Sequence, residues 1–241
     1  MNKENQHEKI SSKNAKFFNE NLNYRKNINN IDTYQNIRNE ISRILDGTEN
    51  LLDIGHGGVF DYNTDKVDKI VGLDLEYMNS SKLPNNIELV KGSVLEIPNH
   101  LKSFDKIFVN MLLHHLCGKN VKENFYNLNK CFYEMKKKIK SEGELIIVES
   151  CVPLWFNIFE KLVYRLAYKF ILKYFKHPPV FQFTINQIIE ALINNGYKIE
   201  YFKTVKQGKY ILQFGYKFPT ILTPVKTVIF RAKPSWKEKL Y

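Results

Sequence analysis

Five short apolar segments alternate with helical and turn-like sequence, and this alternation restricts the fold more than any other feature of the chain. The segments are residues 50–54, 69–75, 87–90, 106–110 and 144–149. Runs of this length predict strands, and helical sequence between them favours right-handed βαβ units. We therefore predict an α/β fold with a parallel sheet that is buried on both faces.

Helical periodicity marks the sequence around these segments. Residues 121–139 predict an amphipathic helix, whose apolar stripe is formed by Phe125, Leu128, Phe132, Met135 and Ile139. The spacing over residues 34–45 predicts a helix that stops at Gly47. Near the C-terminus, a helix is predicted between the capping residue Thr184 and Gly196.

Residues 197–205 and 227–232 predict two further strands, the second of which closes before Pro234. We predict a single domain over residues 15–241, preceded by a disordered polar tail over residues 1–14. A helical and aromatic cap is expected at about residues 151–183. No uncharged apolar run reaches the roughly 18 residues of a membrane span. The polar first residues also lack the apolar core of a secretory signal.

The net charge of +11 raises the question of nucleic-acid binding. Most of the 36 basic residues are lysine, whereas proteins that grip phosphate favour the arginine fork. The arginines are Arg25, Arg38, Arg43, Arg165 and Arg231. This composition indicates a general bias more than a selected binding face, so nucleic acid is the less favoured partner.

Three cysteines, Cys117, Cys131 and Cys151, are widely separated and form no CxxC pair. This spacing predicts a reduced, intracellular protein, which we place in the cytoplasm. A structural zinc site needs closely spaced ligand pairs, so we predict no bound metal.

The segment LLDIGHGG, residues 51–58, ends the first predicted strand and holds three of the 11 glycines of the chain. Glycines allow the backbone to approach a ligand closely at this turn of an open α/β sheet. Asp53 is costly to bury unless it has a partner, such as a cationic ligand group. Asp74 ends the second strand, where a carboxylate accepts hydrogen bonds from ribose. The dinucleotide motif G-x-G-x-x-G is excluded because position 60 is Phe60.

With these motifs in order, the chain resembles the class I S-adenosylmethionine-dependent methyltransferases. The matching segments are LLDIGHGG, IVGLDLE, VKGSVLEIP, FDKIFVNMLLHHL and GELIIVES, within about residues 49–150. The resemblance implies a Rossmann-like, doubly wound, mostly parallel seven-stranded sheet with an antiparallel C-terminal strand and a helical cap. It also implies S-adenosylmethionine as cofactor and S-adenosylhomocysteine as product.

The resemblance assigns roles to particular positions. Asp53 would lie near the methionine amino group, and Gly55 and Gly57 would let the loop pass under the cofactor. Asp74 would hold the ribose, with Leu75 packed on the adenine. The remaining contacts would come from Ser93 and Val94 at the adenine end and from Asn110 at the methionine end.

This chain departs from the family pattern in two places. Val59 stands where the first motif usually has its third glycine, and Ser93 replaces a common aspartate. Backbone and apolar contacts would then hold the adenine. The chain also lacks the D/N-P-P-Y/F box and the Pro-Cys nucleophile of enzymes that methylate bases.

These absences favour a small-molecule acceptor with an apolar or aromatic body, such as a biosynthetic intermediate, methylated on O, N or C. An RNA methyltransferase and a methyltransferase-like binding module without turnover stay as alternatives. The oligomeric state is left open.

A general base is needed only if the acceptor carries a proton of high pKa. His114 and His115 follow the fourth strand at the expected acceptor mouth. In some small-molecule members of the family, a histidine at the position matching His115 takes this proton, and the resemblance implies that role for His115. For both histidines the alternative is packing at the start of a helix. His177 is a more distant candidate, and His7 falls in the tail.

Residues 155–175 repeat apolar side chains at helical spacing beside Lys161, Arg165, Lys169 and Lys173. We weigh three interpretations of this helix: a lid over the acceptor pocket, plain core packed on the sheet, and a peripheral contact with anionic lipid. The aromatic segment 208–224 would form the opposite wall of the pocket.

Overall fold

The computed structural model describes residues 30–75, 83–101, 103–174, 179–213 and 216–236. The tail predicted for residues 1–14 lies outside the described residues, as does His177. No helix among the described residues is long and apolar enough to cross a membrane.

Within the described part of the chain, seven strands form one central sheet: β1 (Thr48–Ile54), β2 (Val67–Asp74), β3 (Ile87–Lys91), β4 (Phe104–Asn110), β5 (Ile139–Cys151), β6 (Tyr197–Thr204) and β9 (Lys226–Pro234). Their order across the sheet is β3-β2-β1-β4-β5-β9-β6. The first five strands pair in parallel, and β9 runs antiparallel between β5 and β6. A separate hairpin consists of β7 (Tyr210–Gln213) and β8 (Tyr216–Pro219). The predicted fold class is confirmed.

Four α-helices accompany the sheet in the described residues: α1 (Asp32–Ile44), α2 (Val121–Lys136), α3 (Leu154–Tyr174) and α4 (Ile185–Asn194). Alternate residues of the strands point to opposite faces, so each face carries its own apolar core. Leu51 packs in the cluster that contains Ile37 and Ile41 of α1. Its neighbour Leu52 packs in the cluster that contains residues of α2 and α4. The strands are therefore apolar at successive positions because both faces are covered.

The predicted strands are all found, most with ends shifted by one or two residues, and three differences affect the later elements. The helix predicted over residues 121–139 ends at Lys136, and Ile139 begins β5 by pairing with Phe104. The apolar side chain of Ile139 fits the spacing of the helical stripe and equally fits a buried strand. Spacing alone therefore placed Ile139 in the helix, although it belongs to β5. Strand β5 extends well beyond the predicted segment 144–149. Strand β9 continues through Pro234.

Helix α3 matches the predicted helix in length, and the structure shows which side of it faces the body of the protein. The predicted apolar stripe is exposed, and the residues buried from this helix include Asn157, Tyr164 and Tyr168. The plain-core interpretation of the stripe is therefore wrong. Hydrogen bonds explain the orientation, since Asn157 donates to the carbonyl oxygen of Gln182 and Tyr164 to that of Gly118. Polar groups of the helix are thus satisfied against the body of the protein.

Candidate active site

The carboxyl ends of β1, β2, β4 and β5 meet at one edge of the sheet because these strands are parallel. Asp53 lies near the end of β1, Asp74 at the end of β2 and Asn110 at the end of β4. Asp53 is in register with Gly72 of β2 and Phe108 of β4. Residues that are 57 positions apart in sequence are thus brought to the same crevice, where open α/β sheets bind ligands.

The loop after β1 adopts a backbone that glycine favours. Gly55, Gly57 and Gly58 have φ values of +73°, +54° and +77°. A Cβ atom at Gly55 would lie 2.9 Å from the Leu112 side chain, so position 55 is closed to larger residues. A Cβ at Gly57 would meet no described atom within 4 Å. The backbone at Gly57 therefore borders open space, as a loop that passes under a cofactor requires.

Asp74 connects the two loops of the crevice. Its Oδ2 accepts a hydrogen bond from the Gly57 backbone N–H at 2.9 Å, and its Oδ1 accepts one from Leu75 N–H at 2.7 Å. An ionised carboxylate oxygen accepts more than one hydrogen bond. The half-buried Asp74 can therefore keep these contacts while it accepts hydrogen bonds from a ribose.

His56 lies in the glycine loop against β2. Its Nδ1 accepts a hydrogen bond from Gly58 N–H at 2.8 Å, and its ring stacks on Phe60 with centroids 4.8 Å apart. Burial lowers the pKa of His56, and the charge of Asp74 partly opposes this shift. His56 is therefore neutral at physiological pH and stabilises the loop without adding charge.

Asp53 is almost fully buried, with 2% of its surface exposed. Its Oδ2 accepts a hydrogen bond from the Tyr62 hydroxyl at 2.8 Å. Burial raises the pKa of Asp53 to about 8; the Tyr62 hydrogen bond lowers it, and the nearby Asp61 and Asp74 raise it further. The ionised form of this carboxyl group is disfavoured until a cationic partner arrives.

Asn110 and Asp61 complete the methionine end of the crevice. The Asn110 amide nitrogen lies 3.4 Å from Asp61 Oδ2, and Asp61 Oδ1 pairs with Arg38 at 3.0 Å. Within the described part of the chain, the buried Oδ1 of Asn110 has no hydrogen-bond partner. A buried acceptor of this kind fits a ligand N–H group.

Ser93 and Val94 follow β3, next to β2 at the same edge. Ser93 Oγ accepts a hydrogen bond from Leu95 N–H at 3.1 Å, and Val94 is buried in the core. The serine hydroxyl is thus engaged locally, which agrees with an adenine end held by backbone and apolar contacts.

His114 is held against a buried carboxylate of β5. Its Nδ1 lies 2.6 Å from Oε1 of Glu149, a residue that is fully buried in β5. Glu149 Oε2 also accepts from Leu113 N–H at 2.7 Å, and Oε1 from Ser150 N–H at 2.6 Å. Because an ionised carboxylate only accepts hydrogen bonds, Nδ1 of His114 carries the proton and Nε2 is left as an acceptor.

His115 lies beside His114, with ring centroids 4.1 Å apart, and is itself buried. Both histidines are thus largely buried, and His114 is the one that contacts Glu149. Sequence analysis missed Glu149, Tyr62 and Asp61. The signal for Glu149 was present, since it is an acid at the end of an apolar strand, the same feature that identified Asp53.

All three cysteines are free and buried. Burial raises the pKa of Cys117 to about 12 and that of Cys151 well above its usual value. These thiols are therefore not reactive nucleophiles at neutral pH. Among the described residues, no group of three or more His, Cys, Asp or Glu side chains is arranged to hold a metal ion.

A family model described as a methyltransferase domain matches residues 52–147, which run from β1 into β5. None of the curated protein sequences compared with the chain matches it. Among solved structures, an S-adenosylmethionine-dependent methyltransferase from Methanosarcina mazei has 15% identity over 82% of this chain and 98% of its own, with a TM-score of 0.56.

Two other similar structures show what this fold supports elsewhere. The geranyl diphosphate C-methyltransferase of Streptomyces coelicolor A3(2), solved with Mg²⁺, geranyl diphosphate and S-adenosyl-L-homocysteine, has 10% identity over 81% of this chain and 79% of its own, with a TM-score of 0.54. The [4+2]-cyclase SpnF has 13% identity over 83% of this chain and 80% of its own, with a TM-score of 0.56. At these identities the likeness establishes the fold, and the chemistry must be argued from the site.

Proposed function

We propose that the chain, whose residues 52–147 match the model of a methyltransferase domain, is a class I S-adenosylmethionine-dependent methyltransferase that methylates an oxygen or nitrogen atom of a small molecule with an apolar or aromatic body. The observation that carries this proposal is the His114–Glu149 pair, which lies at the same sheet edge as Asp53, Asp74 and Asn110. A base and a cofactor crevice at one edge suit the transfer of a methyl group to an acceptor that must lose a proton.

We propose that the residues at the ends of β1, β2 and β4 hold the cofactor. Asp74 would accept the ribose hydroxyls, and Asn110 Oδ1 would accept from the amino group. Asp53, once ionised, would supply the negative charge beneath that amino group. When bound, S-adenosylmethionine supplies a methyl group on a sulfonium, which a nucleophile attacks in line.

His114 acts on the acceptor. Its side chain is 12% exposed, and Glu149 fixes its tautomer and ring orientation from within the sheet. Nε2 therefore takes the proton of an acceptor O–H or N–H, while the buried carboxylate stabilises the imidazolium that forms. Glu149 does not itself meet the acceptor, so it is a positioning residue.

Two features support an apolar small molecule over RNA. The sequence after Asn110 is Met-Leu-Leu, without the polar box that presents base amines. Helix α3 begins directly after β5 and carries Trp155 and Phe156 in its first turn, with ring centroids 5.6 Å apart. Aromatic and apolar side chains that follow the end of β5 suit a substrate whose body is not charged.

Methyl-labelled S-adenosylmethionine incubated with the protein and separated cell extracts tests this function. We expect label in the organic-soluble metabolite fraction, and we expect His114→Gln to reduce that label by about 10²-fold or more because the base is lost. His115→Gln is the matched control, and we expect a much smaller effect from it.

Label confined to the RNA fraction would replace this proposal with the RNA alternative. Equal labelling by wild type and His114→Gln would remove the histidine from the mechanism. Cofactor binding with no labelled product in any fraction would favour the binding-module alternative.

A further inference from the structure

The outer side of α3 carries two parallel rows of side chains of different chemistry. Residues four apart fall into rows along a helix because 3.6 residues make one turn. The apolar row is Leu154, Ile158, Leu162, Leu166, Phe170 and Tyr174, and the basic row is Arg165, Lys169 and Lys173. The apolar row is exposed along its whole length, from 49% for Ile158 to 79% for Leu162.

This exposure follows from how the opposite side of α3 is fastened. Asn157 and Tyr164 donate hydrogen bonds to carbonyl oxygens of the body, and Glu160 accepts from Gln182 N–H at 3.0 Å. Tyr164 and Tyr168 are buried. Turning the apolar row inward would break these contacts and leave polar groups unpaired, so the helix holds one orientation.

The charged side chains of α3 are also divided unequally between its inner and outer sides. Glu160 is the one acid in residues 154–174 of the sequence, and it points to the body of the protein through its contacts with Gln182. Arg165, Lys169 and Lys173 are exposed beside the apolar row. The outward side of the helix therefore combines apolar surface with positive charge only.

We propose that α3 attaches the protein to the surface of an anionic lipid bilayer, with its axis in the plane of the membrane. The apolar row would enter the boundary between headgroups and acyl chains, and the basic row would meet anionic headgroups. Trp155 and Tyr174, which are both exposed, are residue types enriched at that depth. Charge complementarity selects the bilayer over a second copy of this chain, because two such faces would bring the basic rows together.

A second exposed apolar element lies beside the first turn of α3. Ile211 of the β7–β8 hairpin packs in one cluster with Val152 and Val225, against Phe156 of α3. After the hairpin, Ile221 and Leu222 are 91% and 75% exposed. This segment extends the apolar surface next to the end of β5.

The position of α3 also narrows the acceptor class, and this step rests on the proposed function. The helix starts three residues after Cys151, the last residue of β5, and Glu149 lies near that strand end. The acceptor mouth therefore opens beside the proposed membrane face. An acceptor dissolved in the bilayer, with an apolar body and one O–H or N–H group, would reach His114 without crossing water.

Vesicle flotation with the full chain tests the attachment without requiring activity. We expect binding to vesicles of phosphatidylcholine with about one third phosphatidylglycerol, and at least tenfold weaker binding to pure phosphatidylcholine or in about 0.5 M salt. The double variant Leu162→Glu, Leu166→Glu should bind at least tenfold more weakly, because both side chains are exposed and the fold does not depend on them. Ile193→Glu, an exposed apolar position on α4, is the matched control and should bind as wild type does.

Wild type that stays in the soluble fraction would overturn the proposal. This holds whether the apolar row is covered by a second copy of the chain or by residues 1–29. Light scattering separates the first case, since a dimer dispersed by the double variant would identify a second copy as the occupant. Equal flotation of wild type and the double variant would also overturn it. If flotation gave the expected results but no methyl label appeared in the vesicle lipids or in solutes loaded into them, only the proposed acceptor class would be contradicted.

Discussion

Glu149→Gln is expected to lower methyl transfer by about 10²–10⁴-fold while the protein stays folded and binds cofactor as wild type does. The substitution keeps the shape of the side chain but removes its negative charge. The imidazolium that forms when His114 takes a proton then loses its only described carboxylate contact, which is at 2.6 Å. Steady-state kinetics with the identified acceptor should show the loss in kcat, with the S-adenosylhomocysteine Kd unchanged.

The larger truncation Glu149→Ala separates this role from a structural one. It leaves the N–H groups of Leu113 and Ser150 without their acceptor, and each buried donor left unsatisfied costs about 1–3 kcal/mol. We expect this loss in the free energy of unfolding measured with urea. If Glu149→Gln and Glu149→Ala were equally unstable, or if Glu149→Gln kept full kcat, the positioning role would be contradicted.

Asp53→Asn is expected to make the free protein more stable at high pH and to weaken cofactor binding. The folded-state pKa of Asp53 is raised to about 8 from an ordinary value of 3.8, mainly by burial. Below about pH 4 the carboxyl is protonated in both the folded and the unfolded chain. Between about pH 4 and pH 8 the unfolded chain has released this proton while the folded chain still holds it, so the wild type steadily loses stability that the asparagine variant keeps.

The stability difference between Asp53→Asn and wild type should therefore grow from about pH 5 to about pH 8 and level off above it. Its size at about pH 9 is on the order of several kcal/mol, from the equivalence of pKa shift and free energy. Urea unfolding at about pH 5, 7 and 9 measures it. The asparagine side chain would keep an oxygen that accepts from Tyr62, which limits other effects of the change.

Tyr62→Phe serves as the control for this interpretation. It removes the hydrogen bond that lowers the pKa of Asp53. The stability of the Tyr62→Phe variant should therefore level off at a higher pH than that of wild type. A stability difference between Asp53→Asn and wild type that is the same at every pH would contradict the ionisation account. Such a charge, costly in the free protein, is typical of groups retained for ligand binding.

The sequence predicts the sheet well because each strand is a short apolar run that is covered on both faces. The position of Asp53 and Asp74 follows from this, since acids near the ends of parallel strands must share one edge. The His114–Glu149 contact spans 35 residues and depends on the pairing of β4 with β5. No local sequence pattern specifies the register between β4 and β5, so the His114–Glu149 pair could be found only from the fold.

The orientation of α3 on the body of the protein could not be predicted from the sequence. Periodicity predicts the apolar stripe but not the surface that it faces, and packing in the core is only one of the three interpretations it allows. Here Asn157, Glu160 and Tyr164 are satisfied against Gly118 and Gln182, and these partners lie 22 to 46 residues away. Specific hydrogen bonds therefore fix the orientation of the helix, and only the tertiary structure reveals them.

Calorimetric titration with S-adenosylhomocysteine tests most directly whether the crevice between β1, β2 and β4 holds the cofactor. We expect wild type to bind one equivalent and Asp74→Ala to bind at least tenfold more weakly, because the variant loses the carboxylate that we propose meets the ribose and that accepts from Gly57 N–H. Asp68→Ala, at an exposed acid of the same strand, should bind as wild type does. No heat of binding with wild type, or the same affinity for Asp74→Ala, would contradict the site.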